Sequence, residues 1–172
     1  MSSVIFLVDH TAGKISKAAG ELATYAKSIG ESVAVIFADN ADSIASQLNA
    51  FQVDKVITVA GQWDKYGAPA IAEGLAQIVA AKNPAAVLIT STATGKEIAA
   101  RVSVITGSGI ITDAVNVDKE LITTQSVFGG STTVHSTVTK GVPVITLRAN
   151  SIEAVAATST PAVETFAATI SD

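Results

Sequence analysis

Two stretches of this sequence place residues that bind or react at the ends of apolar segments. The first is Ser91-Thr92-Ala93-Thr94-Gly95-Lys96, in which hydroxyls, a glycine and a lysine follow one another between an apolar run and a helical pattern. Unpaired amides and the positive end of the helix dipole favour an anion at such a junction, so Ser91, Thr94, Gly95 and Lys96 are candidate phosphate contacts. The second is Asp9-His10, which ends the first apolar run. In open α/β sheets the ligand crevice lies at strand ends where strand order reverses, so His10 is expected to face the Ser91–Lys96 loop across a nucleotide-sized crevice. The same residues also suit a purely structural role, as capping hydroxyls, a solvated lysine and a locally hydrogen-bonded Asp9-His10 pair.

Other chemistries lack their parts. A phosphate loop of the Walker type needs a glycine where Ile89 stands and a hydroxyl where Glu97 follows Lys96. Gly107-Ser108-Gly109 starts like a dinucleotide fingerprint, but it follows a helix and has Thr112 in place of the third glycine. No nucleophile elbow is present. His10 and His135 are the only histidines, and neither has a carboxylate at ligand spacing, so no metal site is expected. The absence of cysteine excludes disulfides, thiol nucleophiles and thiolate metal centres. With no catalytic constellation, the chain is not expected to be an enzyme. Arg101 and Arg148 are candidate ion-pair or interface residues, and Trp63 and Tyr66 could stack a ring or simply pack.

A regular alternation of elements must position these residues. Residues 4–8, 33–38, 55–60 and 86–90 are short β-branched apolar runs, the pattern of strands buried on both faces. Between the first two, Ile15, Ala18, Ala19, Leu22, Ala26 and Ile29 form one helical stripe, closed by Gly30. Ile44, Leu48 and Phe51 line a second helix behind Asp39 and Asn40. After a loop over 61–67, Pro69 opens a third, which carries Ile71, Leu75, Ile78 and Val79 and stops at Asn83-Pro84. A Thr94-x-x-Glu97 capping box predicts the start of a fourth, running to about Gly107. Strand and helix in turn predict an open, mainly parallel α/β sheet covered on both sides. Beyond Gly107 the segments 112–117, 121–128, 132–139 and 142–147 read as antiparallel strands that extend or flank the sheet. Residues 1–150 therefore form one domain, and 151–172 a linker or docking strap.

Composition sets the class. Of 172 residues, 48% are hydrophobic and 15% charged, with mean hydropathy +0.45, so there is ample apolar surface to fold. Net charge is −4 with no basic run, which excludes a nucleic-acid partner. No apolar run approaches the ~18 residues of a membrane span, and the first residues lack the basic start of a signal peptide, so no membrane insertion is expected and a cytoplasmic location is.

The residues in order suggest a family. Leu7-Val8-Asp9-His10, Gly13-Lys14-Ile15-Ser16, Asp54-Lys55-Val56, Thr92-Ala93-Thr94-Gly95-Lys96 with Ala100-Arg101-Val102, Thr112-Asp113, Phe128-Gly129-Gly130 and Val144-Ile145-Thr146-Leu147-Arg148 together resemble the N-terminal domain of electron transfer flavoprotein alpha subunits, over about residues 3–155. The resemblance implies a Rossmann-like fold of the adenine-nucleotide-hydrolase type, acting as a scaffold in a heterodimer with a beta subunit. The complete protein would carry electrons from flavin dehydrogenases, including those of fatty-acid oxidation, to a quinone oxidoreductase. FAD would sit in a second alpha domain absent from this chain, so none is expected here. Family AMP belongs to the beta subunit, which would leave the crevice of His10, Ser91, Thr94, Gly95 and Lys96 vestigial. Arg101, Arg148 and Phe128 are candidate interface residues, the last in a Phe128-Gly129-Gly130-Ser131 segment that departs from the family's aromatic-Ala-Gly-Asn. The alternative is a stand-alone, universal-stress-like module that binds an adenine nucleotide.

Overall fold

Strands that are apolar nearly throughout need cover on both faces, and the chain supplies it. The computed structural model describes residues 2–170, the side chain of Asp64 excepted. The first half runs β1 (Ser3–Leu7), a small hairpin of β2 (His10–Thr11) and β3 (Lys14–Ile15), α1 (Lys17–Ile29), β4 (Glu31–Phe37), α2 (Ala41–Ala45) with a 3-10 turn after it, β5 (Lys55–Val59), α3 (Trp63–Lys82) and β6 (Ala86–Thr90). The second half runs α4 (Ala93–Thr106), β7 (Ile110–Ala114), β8 (Asn116–Val117), β9 (Thr123–Val127), β10 (Thr132–Ser136), β11 (Val144–Leu147) and β12 (Ala162–Thr165).

Seven strands form one sheet in the order β12-β5-β4-β1-β6-β11-β7, and every pairing in it is parallel. Val4, Phe6, Ala34, Ile36 and Leu88 point to one face, where α1 and α2 cover them with Leu22, Tyr25, Ile44 and Leu48. Ile5, Val33, Val35, Phe37, Val87 and Ile89 point to the other, beneath Leu75 and Ile78 of α3 and Ile98 and Val102 of α4. The fold is the mainly parallel α/β sheet that the alternation predicts, with a small antiparallel sheet of β8, β9 and β10 beside it.

Three local expectations change. Neither Val144–Leu147 nor the first part of the 112–117 segment is antiparallel: Val144–Leu147 lies in parallel between β6 and β7 (Ile110–Ala114), buried along its whole length, and only Asn116–Val117 of that segment pairs antiparallel. Parallel neighbours need a long crossover, and the antiparallel sheet occupies that crossover in place of a helix. The third helix starts at Trp63 and breaks at Gly67 (φ 68°, ψ −158°), so that Pro69 stands in the first turn of the resumed helix. The tail beyond Asn150 folds back onto the domain. Ala156 bridges to Phe51, and β12 adds a parallel edge strand to β5. Its Ala162–Thr165 side chains are all exposed, so polar contacts hold it, backbone bonds to β5 together with the Lys82–Glu164 pair and the Thr58–Thr165 hydroxyls, and no apolar period marks it in the sequence.

Leu48 is fully buried under the α2 face. Leu48→Ala is expected to cost about 2–5 kcal/mol of unfolding free energy, read as a lower urea midpoint at unchanged slope.

Candidate functional site

The N-terminus of α4 is built by Thr92. Its backbone is extended (φ −88°, ψ 171°), and its hydroxyl accepts the Gly95 N–H at 2.9 Å. The expected Thr94/Glu97 capping box does not form, because Thr94 already lies within the first turn; Glu97 instead pairs with Arg101 at 3.0 Å. Where β6 ends decides the cap. Ser91 N–H still donates to Leu147 of the sheet, so the chain turns helical only after Thr92. Gly95 permits that sharp entry, since a Cβ there would stand 2.0 Å from the Thr90 carbonyl oxygen.

Asp113 gathers the polar groups around this junction. It sits in the left-handed region (φ 62°), where β7 slips one register against β11. Its N–H donates to Thr146 Oγ1 (2.9 Å), Thr146 donates to Ser91 Oγ (3.0 Å), and Ser91 donates to Asp113 Oδ1 (3.1 Å), closing a ring across β6, β11 and β7. Arg148 donates to Asp113 Oδ2 at 2.6 Å and reaches the Ser126 carbonyl at 3.3 Å, and Lys96 Nζ stands 3.7 Å from Oδ1. The Arg148 hydrogen bond above all, helped by Ser91 and by the charges of Arg148 and Lys96, lowers the Asp113 carboxyl to about 2. A carboxylate held that firmly ionised is a poor general base and no acid at neutral pH. The cluster ties three strands and the β9 hairpin together, and the lysine expected to meet a phosphate is already facing a carboxylate.

His10 lies elsewhere. Its Nε2 is 2.9 Å from the Phe37 carbonyl, which only accepts, so this nitrogen carries the hydrogen. The ring borders a crevice of about 350 Å³ beyond the ends of β1, β4 and β5, with Asn40, Gly61, Trp63 and Lys65. β1 stands between that crevice and β6. The fold therefore brings Ser91, Gly95 and Lys96 together, with Thr94 exposed beside them, and leaves His10 on the other side of β1. At the end of β1 itself, burial pushes the Asp9 carboxyl up.

The interface candidates also separate. Arg101 points outward from α4, one turn before Val104 (80% exposed) and Ile105 (54%). Arg148 is engaged by Asp113, and Phe128, 83% exposed, stands at the β9–β10 tip with Gly129 and Gly130, all three at positive φ. Sequence reasoning missed the roles of Asp113 and Thr146, whose partners lie 22 to 55 residues away and leave no local spacing to find. Among the described residues, no group of three or more His, Asp or Glu could hold a metal, and no helix is long and apolar enough to cross a membrane.

Two outcomes follow from this geometry. Thr92→Ala should cost about 1 kcal/mol through loss of the cap, whereas Thr94→Ala should stay within ~0.5 kcal/mol, both read by urea melts. Because Asp113 is held below its ordinary 3.8, the stability it contributes is present above pH ~4 and is lost as pH falls toward 2. Asp113→Asn should therefore differ from wild type by about 1 kcal/mol at pH 7, as befits a solvent-screened pair, and converge with it near pH 2.

Comparison with known proteins assigns the chain. Residues 4–171 match the family described as electron transfer flavoprotein domain. The electron transfer flavoprotein alpha subunit of Mycobacterium tuberculosis is 36% identical over 157 residues, covering 90% of this chain and 49% of that protein. The alpha subunit of Mycobacterium leprae is 35% identical with the same coverage, and that of Bacillus subtilis 27% identical over 129 residues, covering 73% of this chain and 40% of its own. The chain spans about half the length of the mycobacterial relatives it matches. It belongs to the electron transfer flavoprotein family, as an N-terminal domain of the alpha-subunit type.

Proposed function

We propose that this domain is the docking scaffold of an electron transfer flavoprotein alpha subunit. It packs on a beta subunit and holds a flavin-bearing second alpha domain within electron-transfer range of its partners. The alpha-type match supports this, and one surface feature carries it: a groove of about 830 Å³ between α3 and α4, in which the apolar side chains of Val79, Ile105, Val142 and Ile170 lie among polar ones that include Glu73 and Gln77. Contiguous exposed apolar surface on a soluble domain marks an interaction site, and the centres of subunit interfaces are poor in charge. Arg101, paired with Glu97, lies one turn before Ile105 on α4. Phe128 and Arg148 mark a second contact at the hairpin.

The residues of this domain do not fit FAD. The groove has no basic lining residue to meet a pyrophosphate. At α4, Thr92 occupies the amide of Gly95 and Asp113 faces Lys96. The His10 crevice has one lysine, Lys65, offset by Asp39 among its described lining residues. The flavin, which supplies the electron-carrying chemistry, thus belongs to the second alpha domain, and the contribution of this chain is geometric. A stiff sheet edge sets where the flavin domain can sit as it turns between electron donor and acceptor. The complete protein takes electrons from flavin dehydrogenases, fatty-acid oxidation among them, and delivers them to a quinone oxidoreductase.

Gel filtration of the chain with a family beta subunit and the alpha flavin domain tests this. A stable three-part complex is expected. Ile105→Glu should weaken it at least tenfold without lowering the melting temperature, because that side chain is already half exposed. A chain that elutes alone with both components present overturns the proposal.

A further inference from the structure

The crevice beside His10 contains a hydrogen-bond donor that nothing in the domain uses. Trp63 is 3% exposed, and its indole nitrogen has no hydrogen-bond partner. The ring packs edge-on against Phe37, with centroids 4.9 Å apart and planes at 74°. Buried donors are nearly always paired, and an orphan on the wall of a cavity calls for an acceptor from outside. Gly61 lies directly against this nitrogen. Its φ of 144° suits glycine, and a Cβ there would stand 3.0 Å from Nε1. The missing side chain leaves room for one atom at that point, 3.0 Å from Nε1, a hydrogen-bonding distance.

The rest of the lining defines the ligand. At about 350 Å³ the crevice is the size of a small-molecule site, and it lies at the carboxyl ends of parallel strands, where such sites collect. Lys65 supplies one positive charge near the mouth, its ammonium 5.4 Å from the centre of the Tyr66 ring, and the exposed Asn40 adds a carboxamide. Asp39 supplies one negative charge, so the described lining is balanced overall and a doubly charged phosphate gains little there. The geometry points to a small monocarboxylate as the ligand of this crevice, one oxygen accepting the Trp63 indole N–H and the charge facing Lys65. The site is separate from the α3–α4 groove and independent of subunit docking.

Trp63 is the only tryptophan of the chain, so one fluorophore and one indole N–H resonance report on the site in the purified 172-residue protein. Titration with sodium acetate, against sodium chloride at equal ionic strength, should move that resonance saturably downfield and change the fluorescence in parallel. Lys65→Ala, at an exposed position, should weaken acetate at least fivefold while circular dichroism stays unchanged. The assignment fails if acetate shifts the indole no more than chloride does, or if Lys65→Ala binds acetate as well as wild type. It also fails if acetamide or inorganic phosphate saturates the signal as tightly as acetate.

Discussion

The double burial of β1 is the constraint on which the rest depends. Val4 and Phe6 face one layer of helices and Ile5 and Leu7 the other, while β4 and β6 take up both of its hydrogen-bonding edges. A strand enclosed on four sides needs crossovers on both faces, α1 and α2 on one and α3 and α4 on the other, and these parallel crossovers deliver the loops after β1, β4, β5 and β6 to a single end of the sheet. The same strand then divides that end into two compartments. On one side lies the crevice with His10 and Trp63, on the other the ring of Ser91, Asp113 and Thr146.

What the second compartment became is a matter of competition. A lysine, a hydroxyl and a helix N-terminus are the parts of an anion site, yet here the anion is internal. Asp113 is tethered within reach of Arg148 and Lys96, accepts a hydrogen bond from Ser91, and receives Arg148 in a charge-assisted bond of 2.6 Å. A tethered carboxylate has lost its freedom on folding already, so an external anion of equal chemistry competes at a disadvantage. Polar residues that look like a binding motif have thus become the clamp that joins β6, β11 and β7. The left-handed backbone at Asp113 is the local cost of that clamp.

The apolar surface follows the opposite logic. Val104 and Ile105 belong to a helix whose inward stripe is already complete with Ile98, Ala99 and Val102, so the domain does not need them for its own core. Ile105, with Ile170 of the returning tail, borders a groove that the domain leaves open. The residues that build the core and the exposed apolar side chains thus occupy different faces of the same helix.

Strand and helix order in the first half was legible because each element carries its own period: alternate or continuous apolar residues for β1, β4, β5 and β6, and the stripe from Ala18 to Ile29 for α1. The order of short motifs from Leu7 to Arg148 carried the family as well. The direction of Val144–Leu147 was not legible, since a buried apolar run reads the same whether its neighbours are parallel or antiparallel. β12 was invisible for a different reason, being held by backbone bonds and polar contacts with all its side chains exposed. Sequence alone therefore determined the layers, the family and the absence of thiol chemistry. Tertiary structure alone decided which hydroxyl caps α4, that Asp113 engages Lys96, and that His10 turns to the Phe37 carbonyl. Each of those outcomes depends on contacts between residues far apart in the chain, and such contacts leave no periodic trace.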